Sequence, residues 1–395
     1  MATTTTYAQL MVGRIITGLG AGYAFVVAPL YAAEIAPSHI RGTLVAVAEV
    51  CINFGVFMGY TLAWALNGLP DSWDWRLMIG VAVIVPVATL MCLPFIPETP
   101  RWLASEGRRE VAKVTLKGIY KEENLVKYHM NHIDQMLEEE AKHPEGRWTD
   151  VLCPDATTKR ALTAGVGIAL YQQISGSEAV VYYTPSILVN AGLGEDEQDN
   201  TVLLMTMAVG FAKFSAACVA AYTVEDQGRR PTAIVSCLGT SLCLLGLGLS
   251  TSAGLSVLAV LLLCSFMILF ELGLGPLPTV LGSEVYDQRI RARAMAFGLF
   301  LNRLVSGTIA ALFPLITDLV GAPASFYVFS GIGFTGVIFS YFYVPETKGL
   351  SLEEVQLLFT DKKGATMKNA RENSNLDNAL SSVGGGGERL QQEAL

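Results

Sequence analysis

Nine blocks of apolar residues, each about as long as a helix must be to cross a hydrocarbon core of ~30 Å, constrain this chain more than any other feature. They run at roughly 11–33, 43–66, 77–97, 161–189, 202–224, 231–250, 256–280, 294–317 and 325–344. Hydrocarbon offers no partner to a backbone N–H or C=O, so each block must satisfy its own backbone as a helix. The charged fraction agrees: Asp, Glu, Lys and Arg make up 16% of the 395 residues, where a soluble chain carries about 25%. The fold class read from these features is an all-α polytopic membrane protein.

The formal net charge of −8 says less than the placement of the charges. Arg14, Lys213 and Arg303 lie inside blocks, and Arg76 lies in a loop on one side. The rest of the 27 Lys and Arg fall on the opposite side: at 41, between 98 and 160, at 229–230, at 289–293 and in the tail. By the positive-inside rule those segments, and with them the C-terminus, are cytoplasmic. The seven cysteines are scattered, mostly within blocks, without metal or disulfide spacing. The opening MATTTTYAQ lacks the basic start of a cleaved signal peptide.

The chain repeats itself. In PLYAAEIAPSHIRG, Glu34 is followed seven residues on by Arg41; in PLPTVLGSEVYDQRIRA, Glu284 is followed seven residues on by Arg291. Two blocks later each half reaches a Pro-Glu-Thr, at Glu98 and at Glu346. Matched spacing at three positions is the mark of an internal duplication, as in transporters built from paired repeats. Three blocks precede the Glu284 segment in the second half, and none precedes the Glu34 segment in the first. The symmetry therefore points to a parent of twelve helices, of which about nine are present and the first three missing.

The expected organisation is a remnant of an N-terminal bundle over 1–97, a cytoplasmic helical loop over 98–159, a C-terminal six-helix bundle over 160–345, and a largely disordered cytoplasmic tail over 346–395. SEGRREVAKVTLKGIY and MNHIDQMLEEEAKH within the loop read as helices outside the membrane. His129 and His132 are three apart on one of them, which is too few ligands for a metal and reads as a solvated face. The end, SSVGGGGERLQQEAL, has the composition of a flexible terminus.

The motifs GRIITGLGAG, PLYAAEIAPSHIRG, PETPRWL, QQISGSEAVVYYTPSI, EDQGRRP, GSEVYDQRIRA and VPETKG occur in this order between about Tyr7 and Leu352. The set resembles the sugar porter family of the major facilitator superfamily. AEVCINFG, SGSEAVVYY, VGFAK and LNRLVSG look closest to its plant-type proton-coupled polyol and monosaccharide transporters. The resemblance implies two six-helix bundles, a central sugar cavity and alternating access. Its substrate would be a small sugar or polyol, with no cofactor beyond a coupling proton. It also implies three further helices before GRIITG, the first carrying an aspartate of the proton-coupling machinery.

Candidate site residues follow from the residues and from that resemblance together. Glu49 stands mid-block, where a charge costs a few kcal/mol unless it faces a cavity or a partner. Gly42, Ala46, Glu49 and Asn53 share one helical face. The resemblance places Glu49 where glucose facilitators carry a sugar-contacting amide, and Gln172, Gln173 and Glu178 on further sugar-contact positions. Lys213 replaces a family asparagine, and Asn302 and Arg303 replace a polar and aromatic pair. Tyr182 and Tyr183 either pack or stack on a pyranose. Thr279 stands where the family has a tryptophan. Amides and carboxylates suit such a substrate, because vicinal hydroxyls both donate and accept. Glu49, Gln172, Gln173, Glu178 and Lys213 are expected to line one central cavity, with Glu49 or Glu178 beside Lys213.

Arg14 and Glu49 are the expected proton-coupling residues. With the first helices absent, Arg14 is expected to snorkel outward and the Glu49 stripe to face lipid. The expected function is secondary transport of monosaccharides or polyols by proton symport and alternating access, the alternative being a transport-incompetent truncated isoform or a sugar-binding regulatory membrane protein. With those helices absent, the chain as given is expected not to perform proton-coupled uptake alone. A cytoplasmic gate is expected from Glu34, Arg41, Glu98 and Arg101 in one half and Glu225, Arg229, Glu284, Arg291 and Glu346 in the other.

Enzyme chemistry finds no footing. The blocks contain no paired aspartates, no His-Glu-x-x-His and no Gly-x-Ser-x-Gly elbow. All four histidines, His39, His129, His132 and His143, lie outside them. No metal site and no nucleic-acid partner is expected. The lipid bilayer is the surrounding partner, the plasma membrane the expected location, and the sequence leaves the oligomeric state open.

Overall fold

The computed structural model describes residues 1–37, 41–70, 73–120, 122–142, 146–223, 228–287, 289–350 and 352–359. The first spans are α1 (Tyr7–Ile35), α2 (Arg41–Ala65) and the pair α3 (Asp74–Val81) and α4 (Ile84–Cys92). Four helices outside the apolar blocks follow: α5 (Pro100–Ser105), α6 (Arg109–Ile119), α7 (Glu123–Lys142) and α8 (Trp148–Leu152). The second half comprises α9 (Ala156–Ile174), α10 (Ser177–Tyr182), α11 (Thr184–Asn190), α12 (Asn200–Thr223), α13 (Arg229–Ser252), α14 (Ser256–Glu271), α15 (Leu277–Val285), α16 (Arg291–Val320) and α17 (Ala322–Tyr343). A short α18 (Leu352–Leu358) ends the described chain. No strand occurs among the described residues.

Among the described residues, seven segments are long and apolar enough to cross a membrane. The two other expected blocks, 161–189 and 256–280, are each broken, for identifiable reasons. α9 stops at Ser175, and Gly176 takes the left-handed φ of 84° from which α10 starts. α14 ends at Glu271, and five residues, Leu-Gly-Leu-Gly-Pro, separate it from α15. Broken spans leave backbone polar groups without intrahelical partners at membrane depth, which is tolerated only where protein or a cavity receives them.

The second half packs around two apolar clusters. One joins Ala164 and Ile168 of α9 to Leu274, Leu281, Val285 and Tyr286. The other joins Ile187 and Leu188 of α11 to Val202, Leu263, Phe266 and Phe326. The helices α5 to α7 hold a small core of their own around Leu103, Ala112, Leu116, Val126 and Met130. α1 buries none of its residues. α2, by contrast, lies along α12. Gly210 lets the two approach so closely that a Cβ there would meet Tyr60 at 2.5 Å. Phe57 lies 5.6 Å from Phe211 and 6.1 Å from Phe214, ring centre to ring centre.

Candidate functional site

Where α2 meets α12 and α14, four polar side chains form one buried chain of contacts. Lys213 of α12 makes a short ion pair with Glu271, the last residue of α14. Its Nζ also donates to Oδ1 of Asn53 at 2.5 Å. Nδ2 of Asn53 reaches Oε2 of Glu271 at 3.3 Å and Oε1 of Glu49 at 3.4 Å. Asn53 and Glu271 are almost entirely buried, and Lys213 retains 9% exposure. The polar stripe of α2 is thus turned onto α12 and α14, where the sequence reading had it facing lipid. The four-residue spacing of Glu49 and Asn53 places both on that face.

Lys213 does have a carboxylate beside it, but neither Glu49 nor Glu178 supplies it. Glu271 escaped the sequence reading because it lies inside the apolar block 256–280. Only the break after it, legible in LGLGP, marks it as a helix end beside the site. Glu178 of α10 pairs instead with Arg303 of α16, Oε1 to Nη1 at 3.6 Å. The Arg303 guanidinium also lies 5.1 Å from the Phe25 ring centre on α1, and its Nε donates to Asn302 at 3.0 Å. Glu49 lies within electrostatic reach of Lys213, Glu271 and Arg303, which links the two clusters.

The amides form a third set. Gln172 Nε2 donates to the carbonyls of Leu274 at 3.0 Å and Gly275 at 2.7 Å, clamping the end of α9 to the break between α14 and α15. Asn302 Nδ2 donates to Gln172 Oε1 at 2.8 Å and to Ala169 O, and Gln173 Nε2 to Asn302 Oδ1 at 3.2 Å. Oε1 of Gln173 is buried without a hydrogen-bond partner. A buried acceptor left unpaired costs about 1–3 kcal/mol, and it is the atom of this set that a donor from a ligand would satisfy.

The five residues expected to line one cavity therefore lie in linked clusters of polar contacts, with Gln173 Oε1 the atom left over. Tyr182 is exposed, whereas Tyr183 packs on Phe313 and donates to Ala310 O at 2.9 Å. Thr279 is exposed on α15, its hydroxyl donating to Pro276 O. Arg14 is exposed on the second turn of α1. Between the C-terminal end of α2 and the N-terminal end of α12, a hollow of about 330 Å³ is lined by Asn67, Glu195, Asp196 and Asp199 among others.

At the other end, Arg229 grips Glu284 through Nε and Nη2, the shortest contact being 2.7 Å. Thr347 Oγ1 donates to the same carboxylate at 2.5 Å. Glu346 accepts from the backbone N–H groups of Arg229 and Arg230 at the start of α13, and of Lys348. Arg291 donates to the carbonyl of Tyr286, within its own loop, and not to Glu284. In the first half, Tyr31 donates to Pro97 O at 2.8 Å, tying α1 to the turn that carries Glu98 and precedes Arg101. The side chain of Arg41, and Glu225, lie outside the described residues.

A polytopic helical protein with duplicated halves, broken spans and polar groups held at the breaks has the build of a membrane transporter. The family model "Sugar (and other) transporter" matches residues 1–359, and the chain belongs to that family. Its members are transporters and not enzymes. Probable polyol transporter 4 of Arabidopsis thaliana is 36% identical over 91% of this chain and 69% of its own length. Polyol transporter 5 of the same plant is 34% identical over 91% of this chain and 70% of its own. The solved structure of the proton:xylose symporter XylE bound to 6-bromo-6-deoxy-D-glucose superposes with a TM-score of 0.72 at 29% identity, over 88% of this chain and 73% of that one. The fold is that of the major facilitator superfamily, and the protein is an integral, multi-pass membrane protein.

Proposed function

We propose that the protein is a secondary transporter that carries monosaccharides or polyols through the Glu49–Asn53–Lys213–Glu271 and Gln172–Gln173–Asn302 clusters, in symport with protons, by alternating access. The observation that carries this reading is the set of buried amides, carboxylates and cations gathered at two helix breaks. A polyol offers hydroxyls that donate to carboxylates and amide oxygens and accept from ammonium and amide N–H, without charge of its own.

In this reading Glu49 holds the coupling proton. It alone of the three carboxylates here has no direct ion pair among the described residues, and Lys213 and Arg303 act on it only at one remove, against burial and Glu271. Glu178, Tyr182 and Arg303 form the outer side of the site, with Arg14 responding to Glu49 through them. The Arg229–Glu284–Thr347 and Glu346 contacts hold the cytoplasmic ends of α13 and α15 together while the site faces outward. They part when it faces inward. The cytoplasmic assignment of this end rests on the charge distribution, and a plasma-membrane location is part of the same proposal.

Binding without transport tests the substrate class. Purified protein in lipid discs should unfold at higher temperature in D-sorbitol, myo-inositol or D-glucose. A ligand at 100 times its Kd adds about 2.7 kcal/mol to the folded state. No shift with any polyol or sugar, in protein that does unfold cooperatively, would contradict the reading.

A further inference from the structure

Asn53 sits on the Lys213–Glu271 pair as a ligand would. Its carbonyl oxygen accepts from the ammonium, and its amide nitrogen reaches Oε2 of the carboxylate. One acceptor for the cation and one donor for the anion, a short distance apart, are also what two neighbouring hydroxyls of a polyol present. We propose that the Asn53 side chain is an internal stand-in for substrate, occupying the charged pair until a vicinal diol displaces it. This rests on the transporter reading and deepens it, naming the part of the substrate that is read and the residue that competes with it.

Three further features fit. The amide is not stranded when it leaves, because Nδ2 also donates to the backbone carbonyl of Glu49, one turn back, at 3.0 Å. An ammonium has three donors, of which Glu271 and Asn53 take two. An incoming hydroxyl can therefore engage Lys213 before Asn53 lets go. Finally, Asn53 belongs to α2 while Lys213 and Glu271 belong to α12 and α14. Exchange of the amide for a diol removes a polar tie between the first spans and the later ones, so occupancy of the site loosens the seam that must move. In this scheme Glu271 receives one hydroxyl of the diol and also holds the ammonium toward α2.

The sign of one effect separates this from a purely structural role. A structural Asn53, when truncated, leaves its partners unsatisfied and weakens the site. A competitor, when truncated, strengthens binding. In the full chain in lipid discs, Asn53→Ala and Asn53→Leu should each bind D-sorbitol roughly 3- to 10-fold more tightly than the parent, the equivalent of one net hydrogen bond no longer displaced. The same substitution placed on Lys213→Met/Glu271→Leu should produce no such gain, since the pair it competes for is gone. Should the alanine variant not fold, the leucine variant fills the same space. The parent itself adds an independent readout, because sorbitol should accelerate amide exchange in α2 around Asn53.

Folded Asn53 variants that bind sorbitol equally or more weakly would overturn the proposal. So would a gain that survives in the triple variant, or unchanged exchange in α2 on binding. A parent that binds no polyol or sugar defeats the transporter reading together with this inference. A parent that binds while its Asn53 variants bind no better defeats this inference alone.

Discussion

Lys213 and Glu271 carry opposite charges out of water, and each is tolerable only because the other is there. Removing one partner of a buried pair costs about 3–5 kcal/mol, whereas replacing both with apolar groups of similar size is often neutral. Lys213→Met alone should therefore lower the thermal unfolding midpoint far more than Lys213→Met/Glu271→Leu does. Equal loss in both would mean that neither charge depends on the other for its burial. Lys213 was legible in the sequence because an ammonium inside an apolar block has to find a counter-charge. Its partner was not, because a glutamate at the end of an apolar run looks the same whether the helix continues or stops there. Glu49 and Asn53 were legible as one face of α2. What lay opposite that face was not, since side-chain spacing says which residues share a stripe and nothing of what covers it.

The breaks decide what the helices can do. The apolar pattern of 161–189 reads as one span, yet Gly176 divides it with a φ of 84°. A side chain at that φ costs about 1–2 kcal/mol, and a Cβ would also meet the Phe329 ring at 3.0 Å. Gly192 has a similar φ of 81° but open space around its Cβ position. Gly176→Ala should accordingly destabilise the protein more than Gly192→Ala, and a comparison of unfolding midpoints checks it. Comparable losses would show that backbone strain alone matters and that the approach of α17 does not. Gln172 was singled out in the sequence for a substrate contact. The structure engages its amide N–H groups on the Leu274 and Gly275 carbonyls, groups that need a partner only because the second break exists. The length and order of the spans were readable from hydropathy. Their interruptions were not, because Gly and Pro are tolerated within membrane helices as well as between them.

Across the whole molecule, the duplicated motifs proved a sound guide to the span ends. They were a poorer guide to individual partners. Arg229 and Thr347, and not Arg291, hold Glu284. A repeat fixes where charges stand along the chain, whereas pairing depends on which helix ends are brought side by side. Arg229→Ala removes a two-toothed grip on a half-buried carboxylate. It should shift the protein toward the state open to the cytoplasm, raising the rate at which a cysteine at Thr279 is labelled from that side. Unchanged labelling would reduce the network to a helix-end fastening with no part in gating.

The central claim is proton-coupled carriage of a polyhydroxylated solute, and uptake tests it most directly. The chain is expressed in cells that lack polyol and sugar uptake, and entry of labelled sorbitol is followed in mildly acidic and mildly alkaline medium. Because the Glu49–Asn53 stripe is covered by α12 and α14 and does not face lipid, the account reverses the expectation drawn from the sequence. It predicts saturable entry, faster in acid, abolished by a protonophore, and competed by unlabelled mannitol, inositol or glucose. Entry no greater than in cells without the protein would contradict transport, and saturable entry indifferent to pH and protonophore would contradict symport.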